Sequence, residues 1–228
     1  MHEFLYALPV LLVSMVAHEY AHGYAALRQG DPTAQAMGRL TLNPLKHIDP
    51  FLTVLLPVAV FVLSAGRVVF GGAKPVPVNP ANYRNLKRGD LIVSSAGIVV
   101  NLVLFVVCLV ASIAVGVLAE FGPGGAGVLA GLQRMLLWGV WLNLLLAFFN
   151  LIPVPPLDGS HLLYHVLPLR WQPWYRRFAR YGVLALMAVI VIAPQVLWIM
   201  LTPAFLLQGA ACELAAPFTL RPFPLCML

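Results

Sequence analysis

An all-α integral membrane protein is predicted by three observations. Of the 228 residues 61% are hydrophobic and only 10% charged, mean hydropathy is +0.89, and the apolar residues gather into runs of bilayer-spanning length. Soluble domains carry about 25% charged residues. Since about 20 apolar residues cross the hydrocarbon core, the chain has room for about four to six spans with short loops, and none for a further soluble domain of ordinary size.

The first run is Phe4 to Leu27. Met1, His2 and Glu3 provide no basic n-region and no small-residue cleavage site follows, so it reads as a retained span rather than a signal peptide. The second, Phe51 to Ala65, is short for a crossing and has Pro57 near its centre, so a re-entrant segment suits it equally. Phe70 to Pro80 is rich in Pro and Gly with spaced valines, which disfavours a helix and leaves room for short β-strands in a membrane-associated loop. Leu91 to Leu118 and Met135 to Ile152 are long enough to cross. After the latter, Pro153, Pro155 and Pro156 end the helix, yet apolar character resumes from Leu162 to Leu167. A helix broken within the membrane is expected, its irregular backbone lining a polar cavity. Val183 to Leu207 reads as a last crossing, and Ala216 to Leu228, which has no motif, as a disordered tail.

The basic residues orient these spans. Three Lys or Arg fall in Arg28 to Pro50, five in Arg67 to Asp90 and four in Pro155 to Tyr181, with only Arg134 and Arg221 elsewhere. If Phe51 to Ala65 dips in and returns, all twelve share one face, as the positive-inside tendency requires. The topology is then N-terminus out, with four transmembrane crossings plus one re-entrant segment. The net charge of +6 is thereby explained by membrane orientation, and no basic stripe interleaved with aromatics points to nucleic acid. Cys108, Cys212 and Cys226 are scattered and odd in number, supporting neither a disulfide framework nor a thiolate metal site.

Within the first run, His18, Glu19, Tyr20, Ala21 and His22 spell H-E-x-x-H. Positions i and i+4 share a helix face, so two imidazoles can ligate one zinc while Glu19 sits beside the water that the metal activates. Ionisable groups inside apolar spans are costly and usually functional. Tetrahedral zinc needs a third protein ligand, and the best candidate is Asp158, in the break Asn150 to Gly159. With four crossings the first span and the fourth run end on the same face; with five they end about 30 Å apart.

Rival readings exist for each. His18 and His22 alone could be packing histidines, and Asp158 alone a turn residue in P-P-L-D-G. His161 and His165 lie at i+3 and i+7 from Asp158 and could replace either His of the first span, although interfacial histidines are the plainer reading. His47 and Asp49 form another polar cluster in a cytoplasmic loop. Gly97 serves helix packing, while Asn101, Asn150 and Asn43 are candidates for binding a substrate or an oxyanion. An exposed edge within Phe70 to Pro80 could pair with an extended peptide.

Together these motifs resemble the site-2 protease family of intramembrane zinc metalloproteases, in its small type without a PDZ or CBS domain. Its H-E-x-x-H corresponds to His18, Glu19 and His22, and its N-x-x-P-x-P-x-x-D-G to Asn150, Pro153, Pro155, Asp158 and Gly159. One departure is Ile98, where many relatives have Pro. The resemblance implies a catalytic membrane core over residues 1–167, a C-terminal span and tail over 168–228, and one Zn²⁺ per chain held by His18, His22 and Asp158. It implies Glu19 as general base and cleavage of membrane-protein substrates in or near their transmembrane segments. A multi-pass location in a prokaryotic cell membrane with the site toward the cytoplasm follows, with room for a regulatory membrane partner. The competing class is a transporter, or a proton- or metal-conducting protein, using the same His, Glu and Asp residues.

Overall fold

In the computed structural model, which describes residues 2–50, 55, 72–121, 126–223 and 226, every regular element among the described residues is helical. In chain order these are α1 (His2–Gln29), α2 (Thr33–Ala36), α3 (Leu86–Phe121), α4 (Ala126–Asn150), α5 (Asp158–Val166), α6 (Gln172–Ala179), α7 (Gly182–Ile192) and α8 (Pro194–Ala215). Short 3₁₀ turns occupy Pro44–His47, Pro80–Asn82 and Ala216–Phe218. Three stretches, Leu86–Ala119, Gly127–Asn150 and Pro194–Phe218, are long and apolar enough to cross a membrane. The protein is therefore a membrane protein. The 28 residues of α1 extend about 42 Å at the helical rise of 1.5 Å per residue. Except for Leu55, the proposed re-entrant run 51–65 lies outside the described residues.

Three expectations need correction. No strand forms in 72–79, where three of the N–H groups are taken by partners other than a neighbouring strand. Lys74 N–H donates to His47 O at 2.7 Å, Val76 N–H to Glu19 Oε2 at 2.7 Å and Asn79 N–H to Asp31 Oδ2 at 2.6 Å. The last apolar run is two helices, not one: Ala193, at φ −129° and ψ 54°, leaves the helical region before Pro194, as the steric demand of a following proline favours. Cys212 and Cys226 form a disulfide, a pairing that depends on the tail folding back along α8.

The chain divides into two compact units. The first comprises residues 1–14, 98–150 and 198–228. Leu137, Ala215 and Phe223 are buried together, flanked by Leu109, Ile113 and Trp138. Several of its buried polar groups are paired, as an apolar interior favours. Gln133 donates to Ser112 O and Phe218 O and accepts from Leu220 N–H, tying down the segment expected to be a loose tail. Asn101 donates to Asn143 Oδ1 at 2.8 Å. Glu3 accepts from Arg134 and from Trp138 Nε1–H.

The second unit comprises residues 15–97 and 151–197. Ala26, Tyr83 and Val93 pack together at the end of α1, and Arg84 N–H donates to Gln29 O at 2.9 Å. The chain thus returns to the end of α1 just before α3 begins. Asp31 is the hub of this return and is fully buried. Its carboxylate accepts from Asn79 N–H, from the side-chain amide of Asn82, and from both the hydroxyl and N–H of Thr33.

Burial alone would raise the Asp31 carboxyl, but these donors hold it below its ordinary range. A group with a depressed folded-state value stabilises the fold above its unfolded value, about 3.9, and loses that contribution as pH falls through the folded value. Asp31→Ala is expected to cost about 3 kcal/mol at neutral pH, because several donors lose a charged acceptor. The deficit relative to wild type should shrink in acid, as read from thermal melts in detergent across pH 3 to 7.

Candidate metal centre

The H-E-x-x-H residues lie on α1, one turn apart as their spacing requires. His18 Nε2 and His22 Nε2 are 3.0 Å apart, with ring centroids at 4.6 Å and planes at 75°. Asp158 comes from α5, of which it is the first residue. Its Oδ2 lies 3.2 Å from each imidazole Nε2, and the three side chains are 9%, 12% and 19% exposed. The sequence-predicted ligands therefore converge.

The break between α4 and α5 delivers the carboxylate. After Asn150 the chain turns, with Val154 N–H donating to Ile152 O and Leu157 N–H to Val154 O. Gly159 follows Asp158 because a Cβ there would overlap Leu151 O and approach Ile152 O to 2.8 Å. A carboxylate in the first turn of α5 also meets the positive end of that helix.

Two features of α3, one turn apart, prepare the imidazoles. His22 Nδ1–H donates to Val93 O at 2.7 Å. A carbonyl only accepts, so the proton sits on Nδ1 and leaves the Nε2 lone pair toward His18 and Asp158. Four residues on, a Cβ at Gly97 would overlap His18 Cε1 and lie 2.5 Å from Nε2 of both histidines. Gly97 thus makes room for the imidazoles. Glu19, next in sequence to His18, accepts from Val76 N–H at 2.7 Å, which fixes one carboxylate oxygen.

The donor set suits a divalent metal. Ligand atoms around tetrahedral zinc lie about 3.3 Å apart, given bonds of about 2 Å; the three here are 3.0 to 3.2 Å apart. Asp158 Oδ2 is buried without a hydrogen bond, a cost that a cation would remove. Among the described residues this is the one group of three or more His, Cys, Asp or Glu side chains with ligand atoms so close together.

The other candidates have local partners. Asn43 accepts from Leu45 N–H and caps a 3₁₀ turn. Asn150 donates to Leu146 O, and Asn101 pairs with Asn143. His47 is buried and its Nε2–H donates to Thr41 O. His161 and His165 meet Asp90 rather than the cluster. Sequence reasoning missed the Val93 carbonyl and the Val76 N–H, since backbone groups carry no side-chain signal. It read Gly97 only as a packing residue; the small residue within A-G-I-V-V-N was the available clue.

Gly97→Ala is expected to leave a folded protein with at least tenfold weaker divalent-metal retention, measured by metal analysis after dialysis. His22→Asn should likewise retain the fold and lose metal, because its amide cannot reproduce the lone pair at Nε2.

The family model for peptidase family M50 matches residues 115–193, a stretch that holds Asp158 and the helix break. A Bacillus subtilis protein, "Putative zinc metalloprotease YwhC", is 37% identical over 203 residues, covering 86% of this chain and 85% of that one. "Putative zinc metalloprotease Rip2" of Mycolicibacterium smegmatis is 34% identical over 149 residues, 65% of this chain and 52% of its own length. Its Mycobacterium tuberculosis namesake is 32% identical over 186 residues, 80% of this chain and 65% of the other. The chain thus spans about half to two thirds of the Rip2 proteins, and no solved structure matches it. With likeness to YwhC along most of both chains, this protein belongs to the site-2 protease family, peptidase family M50.

Proposed function

We propose that this protein is an intramembrane zinc metalloprotease that hydrolyses peptide bonds in or near the transmembrane segments of membrane proteins. The observation that carries the reading is the convergence of His18, His22 and Asp158 with Glu19 adjacent on the same helix. His18, His22 and Asp158 would hold Zn²⁺. Zinc in such a site supplies Lewis acidity, lowering the pKa of water to about 7 and polarising a carbonyl. Val76 N–H holds Glu19 Oε2, so the other carboxylate oxygen takes the proton of the attacking water and passes it to the leaving amine. Asn43, Asn101 and Asn150 remain candidates for contacting substrate, each after release from its local partner.

The transporter alternative fits less well. Ion paths distribute polar groups along a route, whereas the described ligands close on one point within 3.2 Å of each other.

Polar ties support four crossings with the site toward the cytoplasm of a prokaryotic cell. Arg84 N–H rejoins Gln29 O at the end of α1, so the end of α1 and the residues just before α3 lie on one face. Glu3, opening α1, pairs with Arg134 near the start of α4. Gln133 meets Phe218 and Leu220 beyond α8. These are the ties of α1 and α4 running one way and α3 and α8 the other. The Cys212–Cys226 disulfide then falls on the outer face, where disulfides persist.

Glu19→Gln is expected to retain one zinc per chain and lose at least a hundredfold in cleavage, the scale of a lost general base. Asp158→Asn should lose zinc as well. Membrane proteomics comparing cells that express wild type or Glu19→Gln should reveal fragments of single-span proteins only with wild type; zinc-dependent flux without any cleavage would sink the reading. For topology, a cysteine at exposed Gly127 should react with an impermeant maleimide in intact cells. One at Leu169 should react only after the cells are opened.

A further inference from the structure

We propose that Asp90, His161 and His165 form a second divalent-cation site, of the Zn²⁺ class, linking α3 to α5 apart from the His18, His22 and Asp158 cluster. His161 and His165 stand one turn apart on α5, facing Asp90 near the start of α3. Asp90 Oδ2 lies 2.7 Å from His165 Nε2, and Asp90 Oδ1 lies 3.3 Å from His161 Nδ1. The donor types repeat those of the first cluster, two imidazoles at i and i+4 from one helix and a carboxylate from another, with the ligand atoms set farther apart than in that cluster. Here α5 supplies the imidazoles and α3 the carboxylate.

Charge and access both favour a cation. The Asp90 side chain is only 14% exposed, and among the described residues its ion-pair partners are these two histidines and no Lys or Arg. A carboxylate so little exposed costs free energy unless a countercharge partners it. A divalent ion supplies it and accepts the imidazole lone pairs, for which zinc is well suited. Asp90, His161 and His165 line a cavity of about 440 Å³ through which an ion can enter. Arg176, also on its wall, stacks over the Tyr164 ring at 4.8 Å. His165 is 8% exposed and fixed, whereas His161 is 54% exposed and can turn its ring to close the coordination. A bound ion would fasten α5, which begins at Asp158, to α3, which carries Val93 and Gly97.

The inference stands independently of peptide cleavage. Full-length protein in detergent, stripped with chelator, is titrated with Zn²⁺ and counted by metal analysis after desalting, with Co²⁺ absorption as a second readout. Wild type should take up two equivalents. His161→Ala and Asp90→Asn should each take up one, and the double variant His18→Ala, His22→Ala also one. Adding Asp90→Asn to that double variant should leave none, with loss of its Co²⁺ bands. Because His161 is exposed, His161→Ala tests the site without disturbing the core; His165→Gln, checked for monodispersity, should weaken the second equivalent at least tenfold. Saturation of wild type at one equivalent that Asp90→Asn retains, or two equivalents retained by both His161→Ala and Asp90→Asn, overturns the proposal. Two equivalents without cleavage of any membrane protein would overturn the protease reading and leave this one standing.

Discussion

Much of the structure depends on holding two imidazoles and a carboxylate against one another in a chain that is mostly apolar. Such groups are costly unless partnered, and the surrounding residues provide for the imidazoles. The Val93 carbonyl takes the outer proton of His22. Gly97 yields the space a methyl group would fill. The break after Asn150 ends one helix and starts another at Asp158, placing a carboxylate where an uninterrupted helix would place an apolar face.

A second requirement is that the irregular segment leading into α3 be held without sheet partners. Its N–H groups are distributed among Glu19, Asp31 and the His47 carbonyl. The Val76 contact therefore has two consequences: it anchors a loop, and it orients the carboxylate adjacent to the candidate metal ligands. Asp31, buried and meeting donors from Thr33, Asn79 and Asn82, carries the rest of that anchoring at the end of α1.

Legibility in the sequence followed the range of the interaction. The helical character of the long runs was readable because composition and length suffice to specify it. His18, Glu19 and His22 were readable because i and i+4 spacing is a local property of a helix. Asp158 was readable through the prolines around it. The break at Ala193 was missed because Val183 to Leu207 is uniformly apolar and hydropathy cannot distinguish one helix from two; Pro194 was the overlooked signal. Strands anticipated in Phe70 to Pro80 did not form among its described residues, where partners distant in sequence claimed backbone donors. Cys212 and Cys226 gave no pattern, since their proximity depends on how the tail folds back.

The sequence by itself determined the helical, membrane-embedded class, the three ligand-type residues and the acid beside them, all consequences of residue type and short-range spacing. Only the tertiary structure decided that His18 and His22, rather than His161 or His165, meet Asp158, which histidine nitrogen carries the proton, and why position 97 is glycine. Those outcomes depend on which helix faces meet, and that is settled by close packing among residues far apart in the chain.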